Sequence, residues 1–252
     1  MQTVSLSFHR FDAWSARLWV LGQMGAARLS LPRVPGIGFW KLCGSGLGEG
    51  FTPIPNTAVW AILATWPDEA TAREQTARAP VFERWRNKSS ETWTVFLSTT
   101  SVRGAWSGAN PFDVAQSDVD PDAGSETVSQ TGADTKPAPI AALTRATVKP
   151  SVAMKFWRRV PNISRTIGAD PNVAFKIGIG EVPWMQQVTF SIWPDVRAMA
   201  DFARSPNGPH AQAIQAVRDG AWFREELYAR FRILGDSGQW EGKSPLANLG
   251  VF

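Results

Sequence analysis

The sequence states one pattern twice, and a repeat of this length restricts the fold before any single residue is weighed. Ala61-Ile62-Leu63-Ala64-Thr65-Trp66-Pro67-Asp68 in the first half is matched by Val188-Thr189-Phe190-Ser191-Ile192-Trp193-Pro194-Asp195 in the second. An aromatic-lysine-apolar stretch rich in glycine precedes each copy: Phe39-Trp40-Lys41-Leu42-Cys43-Gly44 and then Phe175-Lys176-Ile177-Gly178-Ile179-Gly180. Lys41 and Lys176 are read as counterparts with a shared structural role. A helical pattern and an apolar strand follow each copy. The copies differ where chemistry is concerned, because Pro80-Val81 in the first half faces Pro209-His210 in the second.

Periodicity predicts strands over 3–11, 36–43, 58–66 and 92–97 with helices over 12–27 and 67–79, which is the order βαββαβ. The second half repeats it, with strands over 140–148, 173–179, 187–193 and 227–234 and helices over 152–167, 195–203 and 210–218. Between the halves, 107–139 is a polar run of Ser, Asp, Gly, Thr and Pro that cannot offset its ordering entropy by burial. The expected organisation is therefore a ferredoxin-like repeat over 1–106, a flexible acidic linker over 107–139 and a second ferredoxin-like repeat over 140–252. Each unit has one sheet face in need of cover, so an α+β fold follows, the two repeats packed sheet against sheet as a single-chain dimeric α/β barrel.

Composition narrows the function. With 44% hydrophobic residues in 252 the chain can bury a sizeable core. One cysteine excludes an internal disulfide, and the Met1-Gln2-Thr3-Val4 start has no basic or long apolar region, so a cytoplasmic setting is expected. No stretch approaches the roughly 20 apolar residues of a membrane span. The formal charge of +4 hides an asymmetry: the linker holds six carboxylates against Lys136 alone, a net −5 that leaves +9 elsewhere. A basic body can meet nucleic acid, anionic lipid or an acidic protein. No nucleic-acid motif is present, so the last two lead.

His210 is the residue of most chemical interest. Asn207-Gly208-Pro209 reads as a helix start, which puts His210 in the first turn. Ile214 and Val217 follow at i+4 and i+7, so the imidazole shares the apolar, inward stripe. The positive end of the helix dipole keeps the ring neutral and able to donate a lone pair to a metal; a haem iron held by one histidine fits. A hydrogen-bonded core histidine fits as well. His9 lies in the first strand and reads as structural. Cys43 reads as a small buried thiol, and Gly44-Ser45-Gly46-Leu47-Gly48-Glu49 lacks the third glycine of a dinucleotide fingerprint. Without a nicotinamide or flavin signature, an iron oxygenase would need an external electron donor. Lys155, Arg158 and Arg159 could dock an acidic one, or form a solvated basic face. Gly178 and Gly180 allow close approach to the sheet by a helix or a flat macrocycle, and Lys176 could orient a haem propionate. Trp157, Phe156, Phe190 and Phe231 could line an apolar tunnel or belong to the core.

Met1-Gln2-Thr3-Val4-Ser5-Leu6-Ser7-Phe8, Pro35-Gly36-Ile37-Gly38-Phe39-Trp40-Lys41-Leu42-Cys43-Gly44-Ser45-Gly46, Phe190-Ser191-Ile192-Trp193-Pro194-Asp195 and Gly208-Pro209-His210-Ala211-Gln212-Ala213-Ile214 resemble the spheroidene monooxygenases of purple photosynthetic bacteria. The resemblance covers nearly the whole chain outside the linker. It implies an enzyme that oxidises the C-2 methylene of spheroidene, or of hydroxyspheroidene, through the 2-hydroxy compound to the 2-ketone, using O2 and reduced ferredoxin. It also implies a haem b cofactor and a barrel class shared with chlorite dismutases, dye-decolorising peroxidases and aldoxime dehydratases, whose iron is held by a histidine on a helix of the C-terminal half. His210 matches that placement as proximal ligand; Lys176, Gly178 and Phe190 are the further candidates around the cofactor. A lipid-dwelling substrate would favour peripheral contact with the photosynthetic membrane. A haem dehydratase or peroxidase of the same barrel class, or a carotenoid- or haem-binding protein without chemistry, are the competing readings.

Overall fold

The computed structural model describes residues 1–48, 50, 52–114, 138–157, 173–182, 184–204 and 222–249. Period-two alternation builds its strands. In β1 (Thr3–Arg10), Val4, Leu6 and Phe8 enter one core while Ser5, Ser7 and His9 take the opposite face. β3 (Pro55–Trp66) is apolar on both faces: Val59, Ala61 and Leu63 join that same core, and Trp60, Ile62, Ala64 and Trp66 join a second one under the helices. A strand covered on both sides reads as a continuous apolar run. β2 (Trp40–Gly46), β4 (Glu91–Gly104) and the helices α1 (Trp14–Ser30), α2 (Glu69–Arg78) and α3 (Pro80–Lys88) complete the first half. The second contributes β5 (Ile140–Val148), β6 (Phe175–Gly180), β7 (Gln186–Trp193), α4 (Val196–Arg204) and β8 (Phe223–Gly238).

The strand order is β4-β1-β3-β2 in the first half and β8-β5-β7-β6 in the second, the same ferredoxin-like order twice. The expected α+β barrel of two repeats is thus the observed fold. Its halves join edge to edge: β4 pairs β8 from Trp93↔Gly238 to Gly104↔Leu227, and β2 pairs β6 at Gly44↔Gly180 and Ser45↔Ile179. The result is one closed antiparallel barrel of eight strands, and closure removes the free edges that two separate sheets would expose. β4 runs past the expected 92–97 because its polar second part, Ser98 to Gly104, is occupied by pairing with β8, a long-range partner invisible to local pattern.

The repeated Trp-Pro-Asp motif has a mechanical explanation. Each tryptophan ends a strand, with Trp66 Nε1 donating to Ser5 Oγ at 2.8 Å and Trp193 Nε1 to Ser191 Oγ at 3.0 Å. Each aspartate then caps the next helix, Asp68 Oδ1 accepting from Thr71 N and Asp195 Oδ1 from Ala198 N, both at 2.8 Å.

A second internal repeat closes the barrel. Gly104-Ala105-Trp106-Ser107-Gly108-Ala109-Asn110-Pro111-Phe112 after β4 corresponds to Gly238-Gln239-Trp240-Glu241-Gly242-Lys243-Ser244-Pro245-Leu246 after β8. Each forms a tight turn with positive φ at both central residues, Ser107 and Gly108 or Glu241 and Gly242, bridged at Trp106↔Ala109 or Trp240↔Lys243. Trp106, Phe112, Trp240 and Leu246 all enter the barrel core, where Phe112 meets Phe231 and Trp240 meets Phe8. Residues 107–114, placed by composition at the head of a flexible linker, form this turn and bury Pro111 and Phe112, the latter 2% exposed. Residues 115–137 lie outside the described part.

Each plug is held by the other half. Trp106 Nε1 donates to Glu181 Oε1 at 2.6 Å, and the N–H groups of Ser107 and Gly108 donate to Glu225 at 3.1 and 2.7 Å. Gly242 N donates to Glu91 at 2.7 Å in return. Lys41 Nζ bridges Glu181 at 2.7 Å and Ser107 Oγ at 2.7 Å, and the buried Arg145 pairs with Glu225. Burial opposes ionisation of Glu225, but the Gly108 and Ser107 N–H donors and Arg145 outweigh it and hold its carboxyl below the ordinary range.

His9 is structural. It is 1% exposed on the outer face of β1, edge-on to Trp85 and stacked near Phe11, with Nδ1 3.3 Å from Thr92 Oγ1. Burial, then Arg86, pushes its pKa down to about 3. The fold holds the ring neutral, so the unfolded chain binds the extra proton, and stability present above pH 6.5 is lost as pH falls below it. Urea unfolding should show a loss of about 2 kcal/mol between pH 8 and pH 5 that is absent in His9→Gln. A wild type as stable at pH 5 as at pH 8 would contradict this origin.

Candidate functional site

Strand register corrects the pairing of the two lysines. Trp40 lies opposite Ala64 and Lys41 opposite Leu63, while Lys176 lies opposite Ser191 and Ile177 opposite Phe190. The first-half counterpart of Lys176 is therefore Trp40, and Lys41 corresponds to Ile177. A slip of one residue reverses the face of every side chain. Lys41 belongs to the inner face, in the plug network between the halves, and Lys176 to the outer face of the second half. Their roles are not shared.

With that register, the outer faces of the two half-sheets can be compared position by position. The first carries Trp40, Leu42, Trp60 and Ile62; the second carries Lys176, Gly178, Gln187 and Thr189 in their places. On the neighbouring strands Ser5 and Ser7 correspond to Ala142 and Thr144. The first face is filled by a core that includes Trp60, Ile62, Trp66, Phe82 and Trp85 together with Val81 at the start of α3, 1% exposed. Small or polar residues occupy the second: Thr189, Ala142 and Ala146 are half-buried, Thr144 exposed and Ser191 buried. Volume and polarity differ sharply between two faces built on the same scaffold.

The candidate residues separate across this sheet. Lys176 and Gly178 are on its outer face, whereas Phe190 is fully buried inside the barrel, tilted against Phe8 and Phe175 at 6.1 and 6.3 Å between ring centroids. His210 lies outside the described residues, as do Arg158 and Arg159. The lack of a side chain at Gly178 is used by the protein itself: a Cβ there would come within 2.5 Å of the Gly50 carbonyl oxygen and 2.9 Å of Gln187 Nε2. Among the described residues it is the turn between β2 and β3 that makes this approach, with Ser45 Oγ donating to Gly178 O at 3.0 Å. At Gly180 the close neighbour is the Gln186 carbonyl on β7, 2.1 Å from a built Cβ.

The four aromatic candidates also divide. Phe231, like Phe190, packs the barrel interior at 0% exposure. Phe156 and Trp157 form a satellite cluster with Val148, Trp222 and Phe223, and Trp157 Nε1 donates to Trp184 O at 2.9 Å. Cys43 sits in the barrel core, where burial raises its thiol pKa far above the usual range. It is the small buried thiol that its sequence context suggested. Among the described residues, no cluster of His, Cys, Asp and Glu could hold a metal ion, and no helix is long and apolar enough to cross a membrane.

No family model matches the chain. Two solved aldoxime dehydratases share its fold: one at TM-score 0.59 and 12% identity, over 92% of this chain and 82% of that one, the other, crystallised with butyraldoxime, at 0.58 and 9% over 92% and 80%. Sequence relatives are far nearer. Over 98% of its length the chain is 53% identical to the spheroidene monooxygenase of Cereibacter sphaeroides, spanning 71% of that protein. It is 51% identical to that of Rhodobacter capsulatus, over 98% of this chain and 97% of the relative. With the Rubrivivax gelatinosus protein it shares 31% identity over 91% of this chain and 81% of the relative. The chain belongs to the spheroidene monooxygenase family.

Proposed function

We propose that the protein is a carotenoid monooxygenase that binds haem b on the outer face of its second half, with His210 as proximal ligand, and converts the C-2 methylene of spheroidene or hydroxyspheroidene to the ketone. The substrate follows from the relatives' activity, named at 51–53% identity. The cofactor reading rests chiefly on one observation, the contrast between a first outer face filled by Trp40, Leu42, Trp60 and Ile62 and a second built from Lys176, Gly178, Gln187 and Thr189. The second set has no aromatic or aliphatic side chain to fill the face as the first does, and away from Gly178, where the Gly50 turn approaches, Thr189, Ser191 and Gln187 would supply hydrogen-bonding groups to a flat group. In the first half Val81, the counterpart of His210, is buried against the sheet, so a histidine in the matching place would face the same way.

Bound haem would supply dioxygen activation, with reduced ferredoxin as electron source. The chain's own work is geometric. Phe190, Phe231 and the two plugs fill the barrel interior, so a long polyene is confined to the outer side, presented by one end from the membrane where it dissolves. Lys176, on the bordering strand, would meet the anionic edge of the cofactor. Each oxygen inserted at C-2 consumes one O2, two electrons and two protons and releases one water; a second insertion at the same carbon gives a geminal diol, which loses water to the ketone.

Purified protein should take up haem in about 1:1 ratio with a Soret band and convert spheroidene only with O2 and reduced ferredoxin. A protein with no Soret band would refute the haem assignment. Peroxide-driven turnover without ferredoxin would move the chain to the peroxidase or dehydratase chemistry of this barrel class.

A further inference from the structure

The helix α1 differs from an ordinary surface helix in being apolar on its outward side as well as its inward one. Its inward side holds Ala16, Val20 and Ala27, with Trp19 and Met24 packed half-buried against the same core. Its outward side carries Trp14, 73% exposed, Leu18, 53%, Leu21, 46%, and Leu29, 71%. Positions 14, 18, 21, 25 and 29 advance by three or four residues and form one stripe, in which Gly25 adds no bulk between the leucines. The outward face of a surface helix in a soluble protein is normally charged. In this chain α2 and α3 obey that rule, exposing Glu74 and Arg78 in one and Glu83, Arg84 and Lys88 in the other. A contiguous set of large apolar side chains that no other part of the described chain covers marks a docking surface.

The charges around the stripe select its occupant. α1 contains Arg17 and Arg28 and no carboxylate, and Arg33 follows in the next turn. The neighbouring α3 adds Arg84, Arg86 and Lys88 against Glu83, and Asp12 is the acidic residue at the start of α1. A second copy of the chain is the poorer fit. Two-fold pairing of α1 with itself would bring arginines together with no carboxylate on either helix to answer them. A helix of 17 residues is about 25 Å long and offers roughly 250 Å² of face, well below the ~800 Å² per partner of a stable interface. An anionic lipid surface suits both features: it accepts leucines and an indole to a depth of a few ångström and attracts the arginines beside them.

We propose that the outward face of α1 is the membrane-docking surface of this protein, inserting Trp14, Leu18, Leu21 and Leu29 into the interface of a bilayer containing anionic lipid. The inference deepens the carotenoid reading by naming where the chain meets its substrate's solvent, yet the surface itself is independent of haem or turnover.

Flotation of the full-length protein with phosphatidylglycerol–phosphatidylcholine vesicles, and with phosphatidylcholine alone, tests it without any activity measurement. The wild type should float with the anionic vesicles, bind the neutral ones about tenfold more weakly, and be released by about 0.5 M salt. The triple variant Trp14→Ser, Leu18→Gln, Leu29→Gln changes only exposed positions and should keep its circular dichroism and thermal midpoint while binding roughly a hundredfold more weakly. Arg28→Glu should weaken binding to the anionic vesicles alone. Failure of the wild type to float, equal binding to both vesicle types, or a triple variant that floats like the wild type would each overturn the proposal. So would a concentration-dependent dimer abolished by the triple variant, since the face would then belong to a second copy. A protein that oxidises spheroidene in detergent but does not float refutes the docking surface and leaves the enzyme reading intact.

Discussion

His210→Ala is expected to lower ketone formation from spheroidene by two orders of magnitude or more, at least about 2.7 kcal/mol of transition-state stabilisation, and to abolish the Soret band of the purified protein. The stability of the barrel should change by less than about 1 kcal/mol, because the first half folds the same scaffold with Val81 in the matching place. The reciprocal variant sharpens the test. Val81→His puts an imidazole into the first half, but the outer face there is filled by Trp60, Ile62 and Leu42. It should gain no haem and lose stability through a buried, unpaired ring. Pigment extracted from spheroidene-accumulating cells reads the first outcome, and spectra with chemical unfolding read the rest. A Soret band unchanged in His210→Ala would overturn the ligand assignment.

Trp106→Ala should be the most damaging single change to the fold, costing about 3–5 kcal/mol, a large part of the 5–15 kcal/mol that holds a typical domain together. Trp106 is fully buried, stands edge-on to Phe39 at 5.6 Å, and lies near Lys41 and Arg145 while its indole donates to Glu181. Truncation leaves a cavity in the barrel and takes a donor from a carboxylate that Lys41 must then satisfy alone. Trp106→Phe keeps most of the volume and removes only the donor, so it should cost about 1–3 kcal/mol. The midpoint of urea unfolding, with the slope unchanged, gives both numbers. A loss under about 1 kcal/mol for the alanine variant would mean that the plug does not join the halves as its hydrogen bonds indicate.

This plug also shows where reading a sequence stops short. The pattern Gly-x-Trp-x-Gly-x-x-Pro occurs twice, at 104–111 and 238–245, so the signal was present. It was obscured because 107–139 is uniformly polar and the plug forms the first few residues of that run. Within that run Pro111 and Phe112 carry the burial that distinguishes it, Phe112 through a contact with Phe231 more than a hundred residues away. The outward apolar face of α1 was hidden for a different reason. Its residues have helical spacing on both sides, and periodicity does not say which apolar stripe turns inward when Trp19 and Met24 lie on one and Trp14, Leu18 and Leu29 on the other.

What the sequence determined by itself was the duplication, and with it the ferredoxin-like unit, the Trp-Pro-Asp junction that ends a strand and caps a helix, and the single histidine that marks the second half. These are local properties: hydrogen bonds a few residues apart and an alternation fixed by strand geometry. What only the tertiary structure decided was the face on which each residue falls. Lys41 and Lys176 occupy similar motifs, yet one joins the plug network between the halves and the other belongs to the outer face, because register is set by pairing with Leu63 and Ser191 on another strand. Side chains alternate with a period of two, so a displacement of one residue, nearly invisible in a motif, reverses inside and outside.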